Sequence, residues 1–197
     1  MLSKKIAIGL TGSFGSGKST ALKIFKEFGY QTYSADEQVN KLYEDERIQE
    51  EIKKIAPEVF SKKETGRCFL EKQKLREAVF SDLNKLKKIE TLIHPIIKMQ
   101  CISLIKSSNK KNIFEIPILV NSGIEKHFTK IITIESRKEL RQERIIKRYK
   151  HKISVEDFLK IDQSQPTQAE RESISNIIIN NNGTISEFKK IITSLAN

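Results

Sequence analysis

The stretch "KIAIGLTGSFGSGKSTALKIF", residues 5–25, follows an apolar run with Gly12, Gly15 and Gly17, then Lys18 and two hydroxyl residues, and passes straight into a helix-like pattern. A packed core gains nothing from such a segment, because glycine buries no side chain and loses more conformational entropy on ordering than any other residue. The glycines must serve the backbone instead.

Gly12, Gly17, Lys18 and Ser19 fit G-x-x-x-x-G-K-[ST] in full, after an expected strand and before an expected helix, which is the context the motif requires. Glycines let the chain from Gly12 through Ser13, Phe14, Gly15, Ser16 and Gly17 to Lys18, Ser19 and Thr20 curl so that successive N–H groups face phosphate oxygens at a helix N-terminus. Lys18 then neutralises the β and γ phosphates as charge shifts during transfer, and the Ser19 hydroxyl can ligate Mg²⁺. An ATP-type nucleotide with Mg²⁺ is therefore the expected ligand, Lys18 a catalytic candidate and Ser19 the metal-ligand candidate.

Outward from this segment, short apolar runs rich in β-branched residues recur between longer helical patterns. They are "KIAIGL" (5–10), "QTYS" (31–34), "NIFEI" (112–116), "KIITIE" (130–135) and "NIIIN" (176–180). Nearly continuous apolar strands separated by helices predict an α/β fold, a doubly wound five-stranded parallel sheet with helices on both faces. Ala21, Leu22, Ile24, Phe25 and Phe28 form one buried stripe ending at Gly29; Ser81 or Asp82 caps a segment carrying Leu83, Leu86, Ile89 and Leu92. Thr184 and Glu187 fit a capping box for a last helix with Ile185, Phe188, Ile191, Ile192 and Leu195 as its stripe.

The eighty or so residues between the second and third of these strands exceed an ordinary crossover. They are expected to form a helical insertion with a turn at Gly66 and a break at Pro95. A second charged stretch, near 137–172, is expected to be a flap. The expected division is a nucleotide-binding core of residues 1–35, 109–136 and 173–197, a helical substrate-binding insertion at 36–108 and a lid at 137–172.

The 197 residues suffice for one good core, and 38% hydrophobic with 31% charged residues excludes wholesale disorder. The net charge of +11 attracts anions, but an even scatter of lysines also serves simple solvation, so charge alone selects no partner. Two well-separated cysteines, Cys68 and Cys101, build neither a disulfide framework nor a zinc site, and a reducing cytoplasm fits them. No apolar run is long enough for a signal peptide or a membrane span. With 7% aromatic residues, no Trp and no basic-aromatic stripe, a nucleotide-gated nucleic-acid-binding protein is the weaker reading, and no nucleic-acid or membrane partner is expected. Oligomeric state stays open, and a monomer suffices.

GTPases, helicases, transporter ATPases and small-molecule kinases share the glycine loop, so a second site must choose. The chain has no N-K-x-D segment for guanine and no LSGGQ-like signature, which favours kinases. Past the second strand, "YSADEQVNKLY" puts Asp36 at the C-terminal edge of the sheet, where doubly wound folds place substrates. A carboxylate there can orient a substrate hydroxyl and accept its proton, although aspartate also opens helices.

"GLTGSFGSGKST", "SAD", "AVFSD", "LIHPII", "EIPIL", "RQERIIKR" and "IIINNNGT" occur in an order and spacing that resemble the dephospho-coenzyme A kinases over nearly the whole chain. The resemblance implies phosphorylation of the 3′-hydroxyl of dephospho-coenzyme A by ATP, the last step of coenzyme A synthesis. It implies Asp36 as the base, and His94 with Pro95 lining the coenzyme A pocket; alone, His94 before a proline would simply end a helix. It implies Arg144 and Arg148 at the base of the lid reaching phosphates, against the plain reading of a solvated helix face. It implies Asn181, Asn182 and Gly183 around the adenine, where a turn is otherwise the default. A nucleoside or nucleotide kinase is the alternative, one not expected to carry "LIHPII" in a long insertion.

The chain departs from the pattern it resembles. Ser34 stands for the first aspartate of D-A-D, Glu115 for the aspartate of D-x-P-L-L as a substrate-site acid, Asn121 for a glutamate, and Lys72 and Lys160 for arginines. Lysine keeps the charge and gives up the planar fork. In "KIDQSQP" the glutamines match no fixed place.

Overall fold

The computed structural model describes residues 6–62, 68–149 and 153–197, with the backbone alone at Phe80. The turn expected at Gly66 lies outside them. The chain forms two compact units, one of Met1–Ala35 with Cys101–Asn197 and one of Asp36–Gln100.

The first unit is built on a five-stranded parallel sheet. Its strands are β1 (Ala7–Gly12), β2 (Gln31–Ser34), β5 (Asn112–Glu115), β6 (Lys130–Glu135) and β7 (Ile177–Asn180), the five apolar runs singled out above. Their order across the sheet is β2-β5-β1-β6-β7. β1 lies centrally, with Leu10 opposite Glu115 of β5 and Gly12 opposite Ile134 of β6. This register carries the ends of β1, β5 and β6 to one edge, the carboxyl edge at which such sheets hold ligands. All six residues of β1 are buried, as a strand covered on both faces requires.

Helices α1 (Lys18–Glu27) and α9 (Ile185–Ala196) share a core with the sheet in which Leu10, Ala21, Phe25, Ile132, Ile134, Phe188 and Ile192 are buried. Truncating a residue such as Phe25, fully buried, to Ala would cost about 3–5 kcal/mol. Gly29, at φ 82, ends α1 in the left-handed conformation, with Tyr30 N–H returning to Phe25 O at 3.1 Å. The capping box Thr184/Glu187 opens α9 as expected. Both stripes are narrower than the sequence suggests. Phe28, Ile185 and Ile191 are 38%, 59% and 41% exposed, because Phe28 sits at the cap beyond the last turn and the other two lie off the facing side of α9.

Within the same unit, the described residues of 137–172 include α6 (Lys138–Arg148), α7 (Val155–Gln163) and most of α8 (Gln168–Ser173). Ile145, Ile153 and Phe158 form a separate small core there, with Phe14, Tyr149 and Leu159 packed against it. That core was hidden in the sequence by the charges around it. Elsewhere in this unit Tyr33 of β2 and Cys101 are buried, and burial raises the Tyr33 hydroxyl and pushes the Cys101 thiol up to about 11.

The second unit contains α2 (Ala35–Leu42, from its second residue), α3 (Glu46–Ile55), α4 (Lys72–Ser81) and most of α5 (Leu83–Ser107). It also holds an antiparallel pair, β3 (Phe60–Lys62) with β4 (Cys68–Leu70), which an all-helical expectation missed because each strand has only three residues. Ile48, Ile52, Val59, Leu75, Ile89 and Ile93 are among its buried residues. Asp82 caps α5 by accepting from Asn84 N–H at 2.9 Å. Pro95 does not break this helix. It lies inside a continuous run of 25 residues on an exposed face, where the missing N–H leaves a carbonyl that water can satisfy.

Candidate active site

β1 turns at Gly12 into the loop that opens α1. Gly12, Gly15 and Gly17 have φ of 145, 82 and 111. A Cβ at Gly12 would run into the Ile134 carbonyl, and one at Gly17 would lie 2.6 Å from Asn181 Nδ2. These glycines are dictated by backbone conformation and by close approach together.

α1 starts at Lys18 with Gly17 as its cap residue, no side-chain cap and no acid in its first turn. An uncapped helix start collects N–H groups and the positive end of the dipole, which suits an anion. Lys18, 8% exposed, donates from Nζ to Gly12 O at 2.8 Å and Ser13 O at 3.1 Å. Ser16 Oγ, also in the loop, is buried and has no hydrogen-bond partner among the described residues. Ser19 donates to Oε1 of Glu115 at 3.3 Å, and Glu115 is buried at the end of β5. A hydroxyl beside a carboxylate is a hard oxygen pair of the kind Mg²⁺ takes alongside nucleotide phosphates. The described residues contain no cluster of three or more His, Cys, Asp or Glu that would bind a metal by themselves.

The base of α6 joins the loop after β7. Arg144 donates to Ser136 Oγ at 3.1 Å and to Asn181 O at 3.0 Å, while Asn181 Nδ2 donates to Ser16 O at 2.7 Å. Asn182 accepts the Arg137 N–H at 2.8 Å, and Gly183 is exposed just before the cap of α9. Arg148 is not brought into this group. It is exposed one turn further along α6, with its guanidinium over the Tyr149 ring at 5.8 Å. A cavity of about 500 Å³ opens between Ser136, Arg137, Lys138, Gln165, Thr167 and Asn182, a size that admits a nucleoside.

Asp36 is the second residue of α2, two positions after Ser34, whose sheet partner is Glu115. It is exposed, and its carboxylate has no hydrogen bond or ion pair among the described residues. His94 and Pro95 are exposed on α5. Lys72 reaches Asn40 O and Glu44 within the second unit, and Lys160 pairs with Glu156 one turn away at 3.0 Å. Asn121 adopts a φ of 58, a left-handed turn that asparagine tolerates better than glutamate.

Several site residues were not read from the sequence. Glu135, at the end of β6, pairs bidentately with Arg171 and accepts from Ser13. Gln165 accepts the Phe14 N–H at 2.8 Å, which places one of the unassigned glutamines. Arg141 donates to Phe14 O at 3.1 Å and pairs with Asp162 at 2.5 Å. A charged residue closing an otherwise apolar strand at the ligand edge was the available signal for Glu135.

The dephospho-CoA kinase (CoaE) family model matches residues 6–187. The dephospho-CoA kinase of Fusobacterium nucleatum is 36% identical over 186 residues, covering 93% of this chain and 94% of that protein. Among solved structures, dephospho-CoA kinase from Campylobacter jejuni aligns with a TM-score of 0.67 at 29% identity, over 96% of this chain and 94% of that one. TT1252 from Thermus thermophilus aligns at 0.76 and 26%, over 96% and 95%.

Proposed function

The chain belongs to the dephospho-CoA kinase family and phosphorylates dephospho-CoA with ATP, and from that premise we propose which of its residues do so. The observation that carries the assignment is the junction of the glycine loop, Lys18 and the Ser19–Glu115 pair at the carboxyl edge of the sheet.

The loop amides of residues 12–20 hold the phosphates of ATP. Lys18 leaves the Gly12 and Ser13 carbonyls for the β and γ oxygens and follows the charge as the γ-phosphoryl moves. Ser19 and Glu115 would hold Mg²⁺, which when bound would offset negative charge on the phosphates. Asp36 orients the 3′-hydroxyl of dephospho-CoA and takes its proton. The new bond forms between that oxygen and the γ-phosphorus, the bond to the β–γ bridging oxygen breaks, and ADP leaves.

Asn181, Asn182 and Gly183 form the wall for the base, and Arg144 sets that wall by bonding Asn181 O. Residues 137–172 serve as the lid, with Arg148 free to turn from Tyr149 toward phosphate. Residues 36–108 receive the coenzyme A side, with His94 and Pro95 in contact with it. No helix among the described residues is long and apolar enough to cross a membrane, and two free cysteines fit work in a reducing cytoplasm.

The direct test is product analysis with purified protein, ATP, Mg²⁺ and dephospho-CoA. Coenzyme A and ADP should appear in equal amounts. ATP turnover unmoved by dephospho-CoA rejects the assignment.

A further inference from the structure

We propose that Glu135 is a positioning residue for the phosphate-binding loop, acting through Ser13, and that Arg171 and Gln165 extend the same tie to the chain between α7 and α8. The inference rests on residues 12–20 being the ATP site.

Ser13 follows the last residue of β1 and Glu135 closes the neighbouring strand β6, so the register of the sheet brings acid and hydroxyl together. Glu135 Oε2 accepts from Ser13 Oγ at 3.0 Å and from Arg171 Nη2 at 3.0 Å, while Oε1 accepts from Arg171 Nε at 2.6 Å. Glu135, Ser13 and Arg171 are only 4%, 2% and 4% exposed. Arg171 also donates to the Pro166 carbonyl, and the adjacent Gln165 takes the Phe14 N–H at 2.8 Å. Two consecutive loop residues are thus held, Ser13 through its side chain by Glu135 and Phe14 through its backbone N–H by Gln165.

The Ser13 carbonyl is the other half of the device. It accepts from Ser16 N–H at 3.1 Å and from Lys18 Nζ at 3.1 Å. The residue anchored by Glu135 is therefore the one on which Lys18 rests and from which the loop turns. Burying an ion pair costs desolvation that an apolar pair of similar volume avoids, so joining β6 to α8 does not by itself account for these charges. A carboxylate fixed on one side by a planar guanidinium can accept a hydroxyl proton at a defined point, which an apolar contact cannot do.

Ser13→Ala removes the tie and leaves the ion pair, and ATP binding by calorimetry without dephospho-CoA reads the effect. The dissociation constant should rise about tenfold, as for loss of a hydrogen bond to a charged acceptor, while the melting temperature stays near wild type. Ser13→Thr, which keeps the hydroxyl, should bind ATP more tightly than Ser13→Ala. In Glu135→Gln, adding Ser13→Ala should weaken ATP binding by less than it does in wild type. Wild-type affinity in Ser13→Ala, or full additivity in the double variant, overturns the proposal; the affinity of Ser13→Ala is decisive even if Glu135→Gln does not fold. A wild-type protein that binds no ATP overturns the loop assignment itself, a result distinct from either.

Discussion

The Ser19 hydroxyl meets the Glu115 carboxylate at 3.3 Å, joining the first turn of α1 to the end of β5 across 96 residues of chain. If this pair holds Mg²⁺, Glu115→Gln removes charge without changing shape. The Mg²⁺ concentration for half-maximal activity should rise about tenfold, with activity regained at high Mg²⁺. An unchanged Mg²⁺ titration would remove Glu115 from the metal site.

Gly12 and Gly29 both have positive φ, 145 and 82, but a Cβ at Gly12 meets the Ile134 carbonyl whereas one at Gly29 meets nothing within 4 Å. Gly29→Ala should therefore cost about 1–2 kcal/mol of conformational strain alone. Gly12→Ala adds a backbone clash and should cost about 3 kcal/mol or more. Urea unfolding of the two variants side by side checks the order; equal losses would contradict the local geometry.

Asp36→Asn keeps the size of the side chain and removes the base. The turnover number should fall about 10²- to 10⁴-fold while ATP affinity stays within a factor of about two. Near-normal turnover would strip Asp36 of the role, leaving it as an acid that favours the start of α2.

Cys101 is fully buried with its thiol pushed up to about 11, whereas Cys68 is half-buried. At pH 8 an aromatic disulfide reagent should titrate one thiol per native chain quickly and the second only after denaturant is added. Two fast thiols would show that the packing around Tyr33 and Cys101 opens readily.

Thr184 holds the Glu187 carboxyl below its usual 4.5, first through its backbone N–H and then through its hydroxyl. Thr167 does the same for Glu170, here with the hydroxyl leading. A folded value below the unfolded one adds stability that is fully present above pH 4.5 and is lost as pH falls through the lowered value. Melting curves should therefore separate wild type from Glu187→Gln at neutral pH and converge in acid, where the wild-type carboxyl is also neutral. A constant gap down to pH 3 or so would refute the capping contribution.

By itself the sequence determined the phosphate cradle, because every part of it lies within residues 12–20 and its meaning is carried by local backbone chemistry. It also determined the five strands, since a sheet covered on both faces demands apolar runs that stand out from their surroundings. Tertiary structure alone decided what the cradle rests on. Glu135, Arg171, Arg141 and Gln165 lie 122 or more positions beyond Ser13, the last three in segments whose polar residues read as solvated surface. Their partners are set by strand order and register, which bring the ends of β1 and β6 side by side, and no local pattern encodes a neighbour supplied by the sheet. For the same reason the small core around Phe158 was hidden: Ile145 on α6, Ile153 just before α7 and Phe158 on α7 show no stripe until the helices pack.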